Sequence, residues 1–373
     1  MLEQQTSPLG DAKKSRDSSP QMSLRINKLL QLMVEKGASD LHIAVPSSPI
    51  LRIQGELMTQ EDLPPVTNED AAAIFDQIAT EEQKATFRKE LELDFAYSVP
   101  GLSRFRVNAL QQRGSVGLAF RFVPFRIPSI DELELPQICK KLILKPKGLI
   151  LITGPAGSGK STTLAAMLNY LNQTEKRNIL TIEDPIEFLF SNNKCIIQQR
   201  ELGYDAKSFY NALIHALRHD VDVMVIGEMR DLSTISTAIT AAETHSLVLG
   251  TMHTNDAAQS IDRMVDLFPA GQQQQVRLQI SQVLESVLSQ VLLSRIAGGR
   301  VAAFEILLAT SGIKRLIRDD KVHEIPANLE HGASEGKQTM DQALASLVTR
   351  NIVTKEEAMV KSSNPAKFNE FIR

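Results

Sequence analysis

GLILITGPAGSGKSTTLAAML, residues 148–168, is the stretch that decides the fold. Leu149, Ile150, Leu151 and Ile152 form an apolar run without polar alternation, the pattern of a strand buried on both faces of a parallel sheet. The run breaks at Gly154, and an alanine- and leucine-rich helical pattern begins near Gly159. Between them lie Gly154, Pro155, Ala156, Gly157, Ser158, Gly159, Lys160, Ser161 and Thr162, with the spacing of a phosphate-binding loop. Glycines let successive backbone N–H groups turn toward one anion, and the new helix adds the positive end of its dipole. Lys160 can then reach the β- and γ-phosphates of a nucleotide, and the Ser161 hydroxyl can take one Mg²⁺ position. A glycine-rich turn with a surface lysine is the alternative, but it leaves the flanking strand and helix unexplained.

Downstream, strand patterns at Leu149–Thr153, Ile179–Glu183, Val223–Gly227 and Leu247–Thr251 are separated by helical ones. Such alternation predicts an α/β core of βαβ units, with a mainly parallel sheet and helices on both faces. Ligands of open α/β sheets bind at the carboxyl ends of the strands, where the loop lies. From about residue 272 to 373 the pattern reads as mostly helical, with one strand-like insertion at Arg300–Leu307. Upstream, residues 22–123 alternate short helices and strands and predict a separate, smaller α+β domain. Asn68 and Thr80 are plausible N-caps there. Residues 124–136, PFRIPSIDELELP, hold three prolines and are expected to be the linker, leaving 137–373 as the second domain. Residues 1–21 are polar and predict an unstructured tail.

With 373 residues, 43% hydrophobic and 23% charged, the composition is that of an ordinary globular protein. The net charge of −3 supplies no global basic field, so nucleic acid is not expected as a partner. The two cysteines, Cys139 and Cys195, lie outside any CxxC pattern, which fits a reducing compartment and excludes a cysteine-ligated zinc site. The best membrane-span candidate, Val283 to Ala297, is interrupted by Glu285, Gln290 and Arg295, so membrane contact is expected only at the periphery. The N-terminus lacks an apolar signal core, and export is not expected.

Three stretches at predicted strand ends carry further chemistry. Glu183, Asp184 and Glu187 place three carboxylates in five residues around Pro185. One carboxylate there can orient or deprotonate an attacking water while another sits in a metal's outer shell; a solvated acidic loop is the plain alternative. The apolar strand Val223–Ile226 leads through Gly227 to Glu228, as a Walker B acid requires. His253 closes the strand from Leu247 and is either a hydrogen-bonded structural residue or a sensor of the γ-phosphate. In the smaller domain, Arg104 and Arg106 share strand parity, and Arg113 and Arg121 lie on neighbouring segments. Phe105 falls on the opposite face from Arg104 and Arg106, which argues for a core role over a nucleic-acid surface. The sharper expectation is that these arginines reach a bound triphosphate across an interdomain or intersubunit cleft.

GPAGSGKST, TIEDPIEF (Thr181–Phe188), QRELG (Gln199–Gly203), GEMRD (Gly227–Asp231) and GTMHTNDA (Gly250–Ala257) stand in the order of the secretion ATPase superfamily, which the chain resembles. Within it, the likeness is to the type IV pilus retraction, or twitching-motility, branch. EKGASDLHI (Glu35–Ile43) resembles that branch near its start and KQTMDQAL (Lys337–Leu344) near its end. The resemblance implies a homohexameric ring with a PAS-like N-terminal domain and a RecA-like P-loop NTPase domain. It also implies ATP hydrolysis with Mg²⁺ at the cytoplasmic face of the membrane platform of the pilus machine. Position by position it implies that Gly154 to Thr162 hold the nucleotide, with Ser161 and Glu228 at the metal. Glu187 becomes the base, with Glu183 second; Glu228 is the Walker B acid and His253 the residue near the γ-phosphate. Arg106 and Arg121 match arginines that approach the nucleotide, with Arg113 in support. One departure is local: the family usually reads E-T-G-H-L-V where this chain has Glu243-Thr244-His245-Ser246-Leu247-Val248. The segment Ala309–Lys321 resembles the retraction-associated helix only imperfectly, which leaves room for an accessory retraction paralogue.

The rival readings differ in partner. A pilus-assembly or type II secretion ATPase would typically carry an extra N-terminal domain and a four-cysteine insert. A DNA-translocating motor would be expected to bear a basic field. A non-hydrolysing nucleotide-sensing scaffold would not need the full set of acids and arginines.

Overall fold

The computed structural model describes residues 23–124 and 126–372; the expected tail at residues 1–21 lies outside them. The chain divides into two compact units on either side of the Val123–Pro124 bond.

The smaller unit runs α1 (Ser23–Glu35), β1 (Asp40–Ile43), β2 (Ile50–Ile53), β3 (Glu56–Thr59), α2 (Asn68–Ile78), α3 (Glu81–Glu90), β4 (Glu92–Val99), β5 (Ser103–Gln112) and β6 (Ser115–Val123). Among the described residues its strands form one sheet, ordered β3-β2-β1-β6-β5-β4, with every pairing antiparallel. Alternation along β5 sends Phe105, Val107 and Ala109 into the core and leaves Arg104, Arg106 and Asn108 on the other face. Helix α2 is capped by Thr67, one residue before the expected Asn68, and α3 by Thr80; both caps are reciprocal boxes. Strand β3 was not expected, because all four of its residues are exposed at the sheet edge. Gln54 and Gly55, both at positive φ, make the tight turn that joins it to β2.

The larger unit runs α4 (Ile138–Ile143), β7 (Gly148–Thr153), α5 (Lys160–Thr174), β8 (Asn178–Glu183), β9 (Ile196–Glu201), α6 (Phe209–Ala216), β10 (Val223–Ile226), α7 (Leu232–Thr244), β11 (Leu247–Met252), α8 (Ala257–Asp266) and α9 (Ala270–Val283). It continues through β12 (Leu284–Ser294), β13 (Arg300–Leu308), α10 (Ser311–Arg318), α11 (Ile325–Glu330), α12 (Met340–Thr349), α13 (Lys355–Lys361) and α14 (Pro365–Ile372). Its sheet is ordered β13-β12-β7-β11-β10-β8-β9. All neighbours are parallel except the β12–β13 hairpin. The four central strands bury nearly every side chain, as their unbroken apolar runs require. Each fully buried leucine or isoleucine contributes on the order of 2 kcal/mol. Leu142 of α4 with Leu164 and Leu168 of α5 cover one face, and Leu213, Ile235, Ile261 and Ile280 of α6 to α9 cover the other.

Two expectations are corrected. Strand β12, eleven residues long, lies within the segment read as mostly helical, and its pairing with β7 slips by one residue between Leu284 and Ser286. The expected linker is not free of packing throughout, since Ile130 and Leu135 are buried in the core beneath α4 and α5. The C-terminal helices form their own cluster, in which Leu344 and Phe368 pack on Leu293 and Val301 of the hairpin. No helix among the described residues is long and apolar enough to cross a membrane.

Candidate active site

The parallel register lines up four strand ends at one rim of the larger sheet. Thr153 of β7 pairs with Met252 of β11, and Ile226 of β10 pairs with Gly250 of β11 and Ile182 of β8. The residues that follow, Gly154, His253, Glu228 and Glu183, therefore emerge side by side. A cavity of about 240 Å³ opens there, lined by Gly157, Lys160, Ser161, Glu183, Glu187, Glu228 and His253 among others.

The phosphate loop wraps from β7 into α5. Gly154, Gly157 and Gly159 sit at φ 142°, 75° and 88°, the backbone region that favours glycine. Lys160, buried, donates from Nζ to the carbonyl oxygens of Gly154 at 2.8 Å and Pro155 at 3.0 Å. Burial lowers the pKa of its ammonium, with Glu228 pulling the other way. A triphosphate with Mg²⁺ fits this cradle on three counts. The Ser158 hydroxyl is buried and finds no partner among the described residues. A side chain at Gly157 would meet nothing within 4 Å, so the loop's tip is open. The Ser161 hydroxyl is exposed at the first turn of α5, and Glu228 lines the same cavity. Mg²⁺ that keeps waters and phosphate oxygens needs no richer protein cage, and none of three or more His, Cys, Asp or Glu exists among the described residues.

Glu228 is half-buried and gripped by its neighbours: Arg230 Nε and Nη2 bond its two oxygens, and His253 Nε2 lies 3.4 Å from its Oε2. Burial raises its pKa, but Arg230 and His253 more than offset that, and the carboxyl stays below the usual carboxylate range. Gly250 leaves room for the neighbouring Met229, whose sulfur a Cβ there would meet at 2.1 Å. Glu183 behaves in the opposite way. Burial raises its pKa despite hydrogen bonds from Thr181 at 2.6 Å and Gln199 at 3.2 Å. The exposed Glu187 follows it, its amide donating to Glu183 Oε2 at 3.5 Å.

The loop bearing Glu187 is shaped by β9, a strand the sequence reading did not place. Gln199 donates to the Phe188 carbonyl at 2.8 Å and accepts from the Phe190 amide at 3.0 Å. Glu201 accepts from the Ile186 amide at 3.1 Å. The motif Gln199–Gly203 thus has a role as scaffold for the acidic loop; only the family resemblance had marked it. Gln290, buried on β12 against the phosphate loop, was also missed.

The arginines are less uniform. Arg106 and Arg121 are direct register partners on β5 and β6, and Arg121 Nε donates to Asp40 Oδ1 at 2.8 Å. Burial raises the pKa of Asp40, yet the Ser39 hydroxyl and Arg121 hold it below the usual range. Arg113, at φ 47°, is the turn residue at the tip of the same hairpin, roughly 20 Å along the strands from that pair. These three lie in the smaller unit and the cavity in the larger. His245, the displaced histidine, is exposed at the end of α7, and Ser246 in its wake is buried and bonds the Val221 carbonyl at 2.8 Å.

A phosphate loop, a half-buried glutamate after the strand two places away and an acidic loop beyond it, all on one parallel sheet, define a P-loop ATPase with a RecA-like core. Residues 14–360 match the Type II/IV secretion system protein family, and the chain belongs to it. It is 46% identical over 343 residues to the type IV pilus retraction ATPase PilT of Pseudomonas aeruginosa, covering 92% of this chain and 99% of that one. A twitching motility protein of Neisseria gonorrhoeae is 45% identical over 318 residues, covering 85% of each. A crystal structure of the pilus retraction motor PilT with bound ADP superposes with a TM-score of 0.87 at 43% identity, covering 92% of this chain and 99% of that one.

Proposed function

We propose that this chain is the ATP-driven motor of type IV pilus retraction, working as a homohexameric ring on the cytoplasmic face of the pilus platform, peripheral to the membrane. The observation that carries the reading is the shared rim: the loop, His253, Glu228 and the acidic loop meet on four aligned strands. Similarity to PilT over nearly the whole of both chains supports the direction of work.

In this mechanism Lys160 and the loop amides neutralise the β- and γ-phosphates, and an incoming anion competes with the Gly154 and Pro155 carbonyls for the ammonium. Ser161 and Glu228 would hold Mg²⁺, which when bound would supply charge neutralisation at the phosphates. Glu187 takes the proton of the attacking water; Glu183, held protonated more readily by burial, is suited to orienting rather than abstracting. His253 sits beside Glu228 where a γ-phosphate would be sensed. Arg106 and Arg121 are presented together and stabilise the charge growing on the transferring phosphoryl group, with Arg113 a third candidate. Their approach on ATP binding, and retreat after hydrolysis, is the proposed stroke.

Purified protein should release phosphate from ATP only with Mg²⁺, and Glu187→Gln should abolish turnover while nucleotide binding survives. A deletion strain should carry excess surface pili and lose twitching. Bald cells would assign the chain to assembly instead, and wild-type turnover in Glu187→Gln would remove Glu187 as the base.

A further inference from the structure

Strand β12 carries a polar seam through an otherwise apolar core. Ser286, Ser289 and Gln290 are all buried there. Ser286 bonds the Leu307 carbonyl of β13, Ser289 accepts from the Thr153 hydroxyl of β7, and Gln290 reaches Ser158 of the loop and Thr163 of α5. Gln290 is the member that spans. Its Nε2 donates to the Ser158 carbonyl at 2.7 Å, and its Oε1 accepts from the Thr163 hydroxyl at 2.8 Å. The amide has only one workable orientation, since a carbonyl can only accept and must face the nitrogen. Two loop glycines close onto the same residue. A Cβ on Gly154 would stand 2.2 Å from the Gln290 carbonyl oxygen, and one on Gly159 2.9 Å from its Nε2. The outer glycines of the loop are therefore small in part to admit Gln290.

We propose that Gln290 is a positioning residue for phosphate binding, one that aims the Gly159 amide at the nucleotide by holding the Ser158 carbonyl the other way. The two groups belong to one planar trans peptide, so fixing the carbonyl inward turns the N–H outward. The bond to Thr163 sets that peptide relative to the first turn of α5, whose N-terminal amides complete the anion site. Ordinary core packing needs none of this, since a methionine would fill the space. A glutamate would fail differently, by facing a carbonyl oxygen with a second acceptor and adding charge beside the phosphates.

The inference rests on the nucleotide-binding reading above, and the experiment separates the two. Binding of a fluorescent ADP is measured with the full chain alongside the thermal unfolding midpoint without nucleotide. The chain as it stands should bind, and Lys160→Ala should not; no binding by the unaltered chain would overturn the nucleotide-binding reading and this inference with it. Gln290→Met and Gln290→Glu should each raise the Kd about tenfold or more, the glutamate most, with a lowered midpoint in each but the fold retained. Thr163→Val should raise it about threefold with a midpoint within about 3 °C of the parent. A lowered midpoint with unchanged Kd would make Gln290 a packing residue and overturn the proposal. Should either Gln290 variant not fold, Thr163→Val decides, and parental affinity there refutes the brace.

Discussion

The proposed Walker B role of Glu228 is tested by Glu228→Gln, which separates the catalytic worth of the carboxylate from its structural worth. The substitution keeps the shape and removes the charge that Arg230 and His253 face. The stability cost is small, because the Arg230 side chain is 69% exposed and an ion pair in that setting is worth about 1 kcal/mol or less. For a unit of this size that is about 2–4 °C in the unfolding midpoint. The catalytic cost is large, because Glu228 lies at the end of β10, lines the cavity with Lys160 and raises that lysine's pKa by its charge. Loss of a group acting on the reacting atoms lowers turnover about 100-fold or more, close to 3 kcal/mol in the barrier. The assay is phosphate release under saturating MgATP, with fluorescent ADP binding and thermal unfolding on the same samples. Turnover within about threefold of the parent would refute the assignment of Glu228, and collapse of the fold would refute the estimate of the ion pair.

Three further outcomes follow from the geometry. Gly154→Ala should abolish ADP binding, since φ of 142° and a backbone oxygen 2.2 Å from the new Cβ leave no relaxed position; equilibrium binding checks it. Asp341→Ala should cost about 2–3 kcal/mol in urea unfolding of the larger unit, because the buried carboxylate accepts from the Ser362 and Ser363 hydroxyls and the Ser363 and Asn364 amides. Burial first, and then Asp256 and Asp341, raise the Glu305 pKa to about 7 from a usual 4.5. Between these values the folded chain holds the proton that the unfolded chain has released, so stability falls as pH rises through the window, and Glu305→Gln should flatten that fall in urea midpoints from pH 5 to 8.

The sheet centre was legible because its strands are apolar on both faces: Leu149–Ile152 and Val223–Ile226 admit no other reading once a phosphate loop stands between strand and helix. Glu183, Glu228 and His253 were legible because each stands at the close of such a run, Glu187 by the acidic cluster it belongs to, and Lys160 by the glycine spacing before it. Strand β12 was hidden by Ser286, Ser289 and Gln290, polar residues that break the apolar pattern: Ser286 bonds β13, Ser289 bonds β7, and Gln290 serves the loop. A signal was nonetheless present, since Gly298-Gly299 just before the expected strand marks a hairpin turn and so a partner strand upstream. Edge strand β9 was hidden for a related reason: Gln199 and Glu201 spend their polar groups on the acidic loop. Arg104 and Arg106 could be placed on one face from parity alone, whereas the pairing of Arg106 with Arg121 and the separation of Arg113 required knowing the register and where the hairpin turns.

The slip in pairing between Leu284 and Ser286 has a consequence at the far end of its strand. Glu285 is the extra residue, turned toward Lys145 at 2.7 Å and Lys314 at 3.8 Å. Were the ladder regular from Leu284, every later residue would move up one rung, and Ser289 would stand beside the loop where Gln290 now stands. A serine hydroxyl is too short to touch both Ser158 and Thr163. A single inserted carboxylate at the foot of β12 thereby chooses which side chain greets the phosphates at its tip.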